Sequence, residues 1–163
     1  MSRYRAPQPK SSPYITREGF DRLKDEEKSI WQRRKDVTAA LSAAAAEGDR
    51  SENAEYQYRK KELRELDRRI RYLQKRLPDL TVVDKRANTE QIYFGAEVDL
   101  HTDEREMTVR IVGSDEIDPA KRFISIDSPL ARALLQKRVD DDVEIQVDEK
   151  NLRYEVLAIR YPR

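Results

Sequence analysis

The sequence predicts an α+β protein in which an N-terminal antiparallel two-helix coiled-coil hairpin precedes a C-terminal antiparallel sheet domain with one short helix. Three observations lead to this prediction. Apolar residues recur with a helical period before Pro78 and with a period of two after it. Gly48 interrupts the helical half near its middle. Charged residues make up 40% of the chain, which is too polar for one compact ball and favours an extended part.

Charge is divided unevenly along the chain. Residues 1–79 carry 20 Lys+Arg against 14 Asp+Glu, a net +6, whereas residues 80–163 carry 13 against 18, a net −5. The two halves are therefore expected to face different partners. The chain has no cysteine, which excludes disulfides and thiolate metal sites. Its apolar runs are far shorter than the roughly 18 residues of a membrane span, so we expect a cytoplasmic protein that contacts no membrane.

Residues 1–13 are predicted to form a flexible basic leader. They lack periodicity, and such a composition is typical of a disordered terminus. The leader contains three prolines and three cations: Pro7, Pro9, Pro13, Arg3, Arg5 and Lys10.

A first helix is predicted from about residue 16 to residue 46, with Thr16 as its N-cap. Its apolar residues follow one helical stripe. The stripe consists of Phe20, Leu23, Ile30, Val37, Leu41 and Ala45. Residues 39–46 are nearly all alanine, and small side chains there allow a second helix to approach closely.

A second helix is predicted to end at Pro78. Its apolar residues are separated by 7, 3, 4, 3 and 4 positions, the heptad alternation of a coiled coil. They are Tyr56, Leu63, Leu66, Ile70, Leu73 and Leu77. The linker around Gly48 is short, so the first helix is the expected partner, and residues 14–79 form an antiparallel arm. The alternative, a parallel dimer of longer helices, is disfavoured because Gly48 and Asp49 would interrupt a continuous helix.

Residues 80–163 are predicted to form a compact domain with an antiparallel sheet. A short helix is expected at about residues 129–137, where Ser128 is a suitable N-cap and Pro129 a suitable first helical residue. The predicted strands are 81–83, 92–100, 107–112, 123–126, 143–147 and 154–159.

Four carboxylates cluster at the glycine break between the helices. Asp49 and Glu52 are three residues apart, so a helical turn beginning near Asp49 would place both on one face. Two carboxylates offer only part of the six-oxygen shell that Mg²⁺ prefers, so the other ligands would belong to another molecule. A structural role is also open, and spacing alone favours it: Asp49 and Ser51 would cap the second helix, while Glu52 and Glu55 would favour its N-terminal dipole.

Three segments resemble the bacterial Gre transcript cleavage factor family, in particular its GreB type. They are residues 48–58, 64–73 and 124–135, and the likeness extends from about Ile15 to Tyr161. The resemblance implies an FKBP-like fold, without isomerase activity, for residues 80–163. It also implies a transcription elongation factor that inserts its coiled-coil tip into the secondary channel of a backtracked bacterial RNA polymerase.

In that family the tip acids help to hold a second Mg²⁺ beside the polymerase's own, and the polymerase then cleaves the nascent RNA near its 3′ end. Asp49 and Glu52 are the matching residues here, and Glu55 and Tyr56 are second-rank candidates that would orient them. The protein is thus expected to be no enzyme itself, to share its Mg²⁺ with the polymerase, and to bind no metal tightly when free. A monomer is expected.

Two further sets of residues are candidates for contact with RNA or polymerase. Between Arg50 and Arg76 there are ten cations against five acids. Without the resemblance such a run is more often a solvated helical face, partly paired with Glu62 and Glu65. The resemblance implies that it contacts the displaced RNA 3′ segment. It also implies that the polymerase docks near Ser128 and Pro129. The nominated cations are Arg59, Lys60, Lys61, Arg64 and Arg68.

Three other functions remain as alternatives: a relative that occupies the channel and inhibits polymerase, a coiled-coil adaptor that only binds protein, and a stand-alone magnesium nuclease. The intact acids disfavour the inhibitor, and the scarcity of metal ligands disfavours the nuclease.

Overall fold

The computed structural model describes residues 10–47, 53–84, 86, 88–103 and 105–162. These residues fall into two compact units. A helical unit comprises Glu18–Leu80, and a sheet unit comprises the described residues up to Arg17 together with those from Thr81 onward. None of the helices in the described ranges is long and apolar enough to cross a membrane.

The helical unit is an antiparallel pair. Helix α1 spans Arg17–Ala45, helix α2 spans Ala54–Arg76, and a 3-10 turn at Leu77–Asp79 follows, where Pro78 prevents α2 from continuing. The contacts between them show that the two helices run in opposite directions. Residues early in α1 bond to residues late in α2, and the end of α1 bonds to the N-cap of α2. The bonded pairs are Glu26–Arg69, Arg33–Glu62, Arg34–Asp67 and Ala44–Asn53. The predicted hairpin is therefore confirmed.

The seam between the helices follows the predicted stripes. Leu23, Val37, Ile70 and Leu73 are buried, and most other predicted stripe positions are half-buried. At the Ala-rich end the buried residue is Ala44, whereas the sequence pattern had favoured Ala45. A two-helix arm offers each stripe only one partner, so part of the stripe stays in contact with solvent.

The sheet unit contains two sheets. A two-stranded parallel sheet pairs β1 (Tyr14–Thr16) with β2 (Thr81–Val83). The larger sheet has the strand order β5-β4-β3-β7-β6. Its strands are β3 (Glu97–Thr102), β4 (Arg105–Val112), β5 (Phe123–Ser125), β6 (Asp142–Val147) and β7 (Lys150–Arg160), and helix α3 spans Pro129–Leu134 between β5 and β6.

The larger sheet departs from the prediction in one pairing. Three of its pairings are antiparallel as predicted, but β5 runs parallel to β4. A parallel neighbour requires a crossover connection, and here the chain between Val112 and Phe123 makes it. The predicted strand at 92–100 begins only at Glu97, because Gly95 turns the backbone with a φ of 87°.

One face of the larger sheet packs on α3 to form the core. Period-two alternation brings apolar side chains of three adjacent strands to this face, including Val98, Leu100, Ile111 and Val156, all fully buried. From α3, Ala131 and Leu134 complete the cluster.

The first strand was missed by the sequence analysis. The predicted arm 14–79 included Tyr14–Thr16, but these residues form β1 and belong to the sheet unit. Thr16 directly precedes α1, the position from which it was expected to cap that helix. Its backbone N–H and its hydroxyl also donate to the buried Glu116 carboxylate, a contact that the sequence did not reveal. Tyr14–Thr16 directly precede α1 and were assigned to the start of the arm, which explains the omission.

Candidate functional site

Asn53 joins the two helices at the end of the helical unit where α1 stops and α2 begins. Its side-chain oxygen accepts the Tyr56 N–H at 3.1 Å, which caps α2, and its amide nitrogen donates to the Ala44 carbonyl at 2.7 Å. One side chain therefore serves the first turn of α2 and the last turn of α1 together. Ala44 is 4% exposed, and its small side chain lets the two backbones come this close.

This finding corrects the predicted cap. The structural interpretation of the acidic cluster assigned the cap of α2 to Asp49 and Ser51, but α2 begins at Ala54 and Asn53 is its N-cap. The local signal was available, because Asn is among the preferred N-cap residues and Glu55 adds an acid in the first turn. Asp49 and Glu52 lie outside the described residues, so their role as metal-binding acids stays a prediction.

The second-rank candidates lie directly after the cap. Glu55 accepts a hydrogen bond from Arg59 at 2.8 Å, one helical turn further on. Tyr56 is half-buried, and its ring centroid lies 6.0 Å from the Lys60 ammonium nitrogen. Both residues are thus ordered by α2 itself.

Arg59 differs from the other nominated cations because its charge is already paired. Its guanidinium donates to Glu55 at 2.8 Å and to Glu62 at 3.1 Å. These two bonds raise the pKa of Arg59 above its ordinary value, and the bond to Glu55 has the larger effect. Desolvation acts to raise the pKa of Glu62, but hydrogen bonds from Arg33 and Arg59 together bring it below its ordinary value. Arg59 is better suited to hold the arm together than to meet a ligand.

The remaining nominated cations are exposed. Lys61, Arg64 and Arg68 form no ion pair within the described part of the chain, and Glu65, expected to pair with them, forms none there either. Arg71 and Lys75 continue the same 3-and-4 spacing and are exposed too. Residues so spaced share one helix face. We call Lys61, Arg64, Arg68, Arg71 and Lys75 the basic stripe. It lies on the side of α2 opposite to Ile70 and Leu73.

In the sheet unit, Ser128 and Pro129 occupy the positions predicted for them. Ser128 is the N-cap of α3, where its hydroxyl accepts the Ala131 N–H at 3.2 Å, and Pro129 is the first helical residue. These residues support a local turn, and their contact with polymerase stays a prediction.

The leader reaches this same turn, which the sequence did not reveal. Ser12 donates its backbone N–H to the Asp127 carboxylate at 2.9 Å, and its hydroxyl donates to the other oxygen of that carboxylate. Pro13 accepts the Thr81 N–H at 2.8 Å. The end of the leader is therefore attached to the sheet unit, and only residues 1–9 of the predicted leader lie outside the described residues.

Metal-ligating side chains are spread out in what the structure describes. Across residues 10–47, 53–84, 86, 88–103 and 105–162, no three His, Asp or Glu side chains are grouped as a metal site would require. Asp49 and Glu52 lie outside these ranges.

Two family models cover most of the chain. Residues 13–82 match "Transcription elongation factor, N-terminal", and residues 87–161 match "Transcription elongation factor, GreA/GreB, C-term". Curated relatives are close in sequence. A transcription elongation factor GreB of Xanthomonas axonopodis pv. citri (strain 306) is 52% identical over 165 residues, covering 99% of this chain and 98% of the relative. A transcription elongation factor GreB of Yersinia pestis is 52% identical over 153 residues, covering 92% and 90%.

Solved structures give a weaker likeness. Gfh1 of Thermus aquaticus has a TM-score of 0.44 at 23% identity, with 92% of this chain and 99% of that chain covered. A transcription elongation factor GreA/GreB from Nitrosomonas europaea has a TM-score of 0.42 at 18% identity, covering 92% and 100%. The assignment to a family depends on the sequence matches.

Proposed function

Because this chain belongs to the GreA/GreB family of transcription elongation factors, we propose that it stimulates RNA cleavage by inserting the tip of its helical unit into the secondary channel of a backtracked RNA polymerase. The chain is an elongation factor that acts on RNA polymerase, and the polymerase is the catalyst. In this proposal Asp49 and Glu52 are the residues that the tip brings to the polymerase active site.

The observation that carries the proposal is the bond between Asn53 and Ala44. It holds the end of α1 and the start of α2 together, and residues 46–53, which include both acids, connect the two helices along the chain. The proposal therefore assigns both acids to the closed end of an antiparallel hairpin. Carboxylate oxygens are the ligands that Mg²⁺ prefers, and a site with only two of them suits an ion shared with another molecule. Bound there, Mg²⁺ would activate a water for attack on the RNA phosphodiester.

The rest of the chain has supporting roles in this proposal. The basic stripe would contact the displaced RNA 3′ segment through its phosphates, with little sequence preference. The turn at Ser128 and Pro129 would dock on polymerase. The apolar stripes of α1 and α2 pack against each other within one chain, which supports a monomer. We expect the protein to act in the cytoplasm.

The test compares transcript shortening in stalled, backtracked complexes with Mg²⁺. The wild type should shorten the RNA rapidly, whereas Asp49→Asn/Glu52→Gln should still bind polymerase and fail to stimulate cleavage. Glu47→Gln is a matched control, because it removes an exposed carboxylate close by in the chain and should act like the wild type. Equal shortening by the double variant would contradict the proposal and favour an adaptor. Slower elongation with the wild type would favour a channel-blocking inhibitor.

A further inference from the structure

Two tyrosines on α2 are unusually exposed. Tyr58 is 61% exposed and Tyr72 is 42% exposed, although large aromatic side chains usually bury most of their surface. They are 14 residues apart, which is two heptads, so they lie on the same face of the helix about 21 Å apart. The seam with α1 uses other residues of α2, such as Ile70 and Leu73. Packing against α1 therefore does not explain this pair.

Each of the two rings lies against an arginine that is itself held by carboxylates. The Arg59 guanidinium carbon lies 5.5 Å from the Tyr58 ring centroid, and Arg59 is bonded to Glu55 and Glu62. The Arg69 guanidinium carbon lies 5.2 Å from the Tyr72 centroid, and Arg69 makes two bonds to Glu26, at 2.6 and 2.9 Å. A fixed cation beside a ring favours the orientation that the ring has here, which lowers the cost of ordering it when a ligand binds.

The tyrosines border the basic stripe. Lys61 follows Tyr58 by three residues, Arg68 precedes Tyr72 by four, and Lys75 follows Tyr72 by three, all spacings that make neighbours on a helix surface. These cations are exposed and form no ion pair among the described residues. Glu65 lies midway between the two tyrosines along the helix and places a negative charge between them. The surface thus offers two exposed aromatic side chains beside a line of positive charge.

We propose that Tyr58 and Tyr72 are stacking platforms for the bases of single-stranded RNA whose phosphates lie along the basic stripe. The inference deepens the proposed function, because the RNA would be the segment displaced during backtracking. Unpaired bases stack on exposed aromatic side chains whatever their sequence, while cations follow the backbone. Both parts of that surface are present on one helix face, and the charge of the stripe is complementary to RNA. The tyrosines would add affinity that the cations alone do not supply.

The test is a titration of the full-length protein with a short, fluorescently labelled single-stranded oligoribonucleotide. Tyr58→Ala should lower the association constant about tenfold, since an aromatic side chain that stacks on a base has an effect of that order. Tyr58→Phe keeps the ring and should bind like the wild type. Trp31→Ala is the matched control, because it removes a 46% exposed aromatic from α1 and should change nothing. Tyr72→Ala should weaken binding in the same way as Tyr58→Ala.

Salt dependence separates stacking from charge. Lys61→Ala should reduce the slope of log K against log salt by about 0.7, because one phosphate contact is lost. Tyr58→Ala should lower the association constant at every salt concentration and leave that slope unchanged. An abasic oligomer with the same number of phosphates should bind the wild type and Tyr58→Ala equally. Glu65→Gln should strengthen binding of either oligomer.

Three outcomes would overturn the inference. Tyr58→Ala and Tyr72→Ala could bind RNA as tightly as the wild type, or Tyr58→Ala could lose as much affinity for the abasic oligomer as for RNA. Poly-glutamate could also bind as tightly as RNA and depend on Tyr58 in the same way. The last result would assign the face to an acidic protein. Thermal unfolding of each variant should match the wild type, as expected for exposed positions. Asp49→Asn/Glu52→Gln should bind the oligomer normally, so failure of the tip proposal and failure of the stacking proposal give different results.

Discussion

At the scale of single residues, Asp99 on β3 shows how neighbours set the charge of a side chain. The Arg160 guanidinium donates to both Asp99 oxygens at 2.7 Å, and the Thr108 hydroxyl donates at 2.7 Å. These bonds, that of Arg160 first, lower the Asp99 pKa from 3.8 to about 2. The unfolded chain therefore takes up the proton at a higher pH than the folded protein does.

We expect Asp99→Asn to destabilise the protein above about pH 4 and to have a shrinking effect below it. The folded pKa is depressed, so the stabilisation is present above the unfolded pKa and is lost as the pH falls through about 2. Chemical denaturation of both proteins between pH 7 and pH 2 measures the difference in unfolding free energy. A difference that stays constant down to pH 2 would contradict the ionic origin of this stabilisation.

Gly113 is required by a close approach of two backbone segments. A Cβ atom at this position would lie 2.0 Å from the Tyr14 carbonyl oxygen on β1, which is far inside the van der Waals contact distance of a carbon and an oxygen atom. Gly113→Ala should lower the free energy of unfolding by about 1–3 kcal/mol, because the backbone must shift to relieve the clash. Thermal unfolding measures this, and Gly95→Ala is a contrasting variant: its cost would come from the positive φ, since its Cβ meets no atom within 4 Å. A neutral Gly113→Ala would contradict the close packing of β1.

Single residues were predictable where their partners are near in sequence. Ser128 and Pro129 could be assigned to the start of a helix because the cap and the helix are adjacent. The partners of Glu116 and Asp127 are Thr16 and Ser12, about 100 positions away in the sequence. No local sequence pattern predicts such contacts. Asn53 was overlooked because the acids before it also suit a cap.

At the scale of elements, the hairpin end depends on Asn53. Asn53→Ala should cost about 1 kcal/mol for the lost cap, and hydrogen exchange at the Tyr56 amide should accelerate. Asn53→Asp separates the two roles, because a carboxylate can still accept from Tyr56 but cannot donate to Ala44. This variant should protect the Tyr56 amide normally. Equal protection of that amide in Asn53→Ala and the wild type would show that the cap is unimportant.

The β6–β7 hairpin has a turn that its sequence does not favour. Asp148 and Glu149 connect Val147 to Lys150, and both have positive φ, 48° and 66°. Positive φ at both central residues is characteristic of a type I′ turn, where Gly is preferred at the second position. Glu149→Gly should therefore stabilise the protein by about 1 kcal/mol, which a denaturant titration measures. Glu149→Ala is the control and should give no gain.

Elements with a sustained period could be predicted, and so could the short strands β2 and β5, but β1 and the direction of β5 could not. Helices α1 and α2 and strands β3, β4, β6 and β7 carry enough alternating residues for their periods to be recognised. Strand β1 runs directly into α1 and pairs with β2, far along the chain, so no local pattern marks it as a strand. The parallel pairing of β5 depends on a crossover connection that residue type does not encode. Strand β3 is shorter than predicted because the backbone turns at Gly95, before the strand begins.

At the scale of the whole molecule, positive and negative charge are concentrated in different parts of the chain, as expected if these parts have different partners. The basic stripe belongs to the helical unit, and the acidic excess belongs to residues 80–163. The fold class and the membership of the GreA/GreB family were predictable because three long motifs occur in order along the chain. The candidate site was predictable only in part. Its cations could be nominated from sequence, but which of them are paired depends on side-chain rotamers: Arg59 bonds to two acids of α2 itself, whereas Lys61 forms no ion pair among the described residues.

The Mg²⁺ dependence of RNA cleavage in backtracked complexes tests the central claim most directly. If Asp49 and Glu52 complete an ion site shared with polymerase, the wild-type protein should lower the Mg²⁺ concentration needed for half-maximal cleavage, since added carboxylate ligands raise affinity for the ion. With Asp49→Asn/Glu52→Gln, the dependence should return to that of polymerase alone. A double variant that lowers the required Mg²⁺ concentration as far as the wild type does would contradict the account.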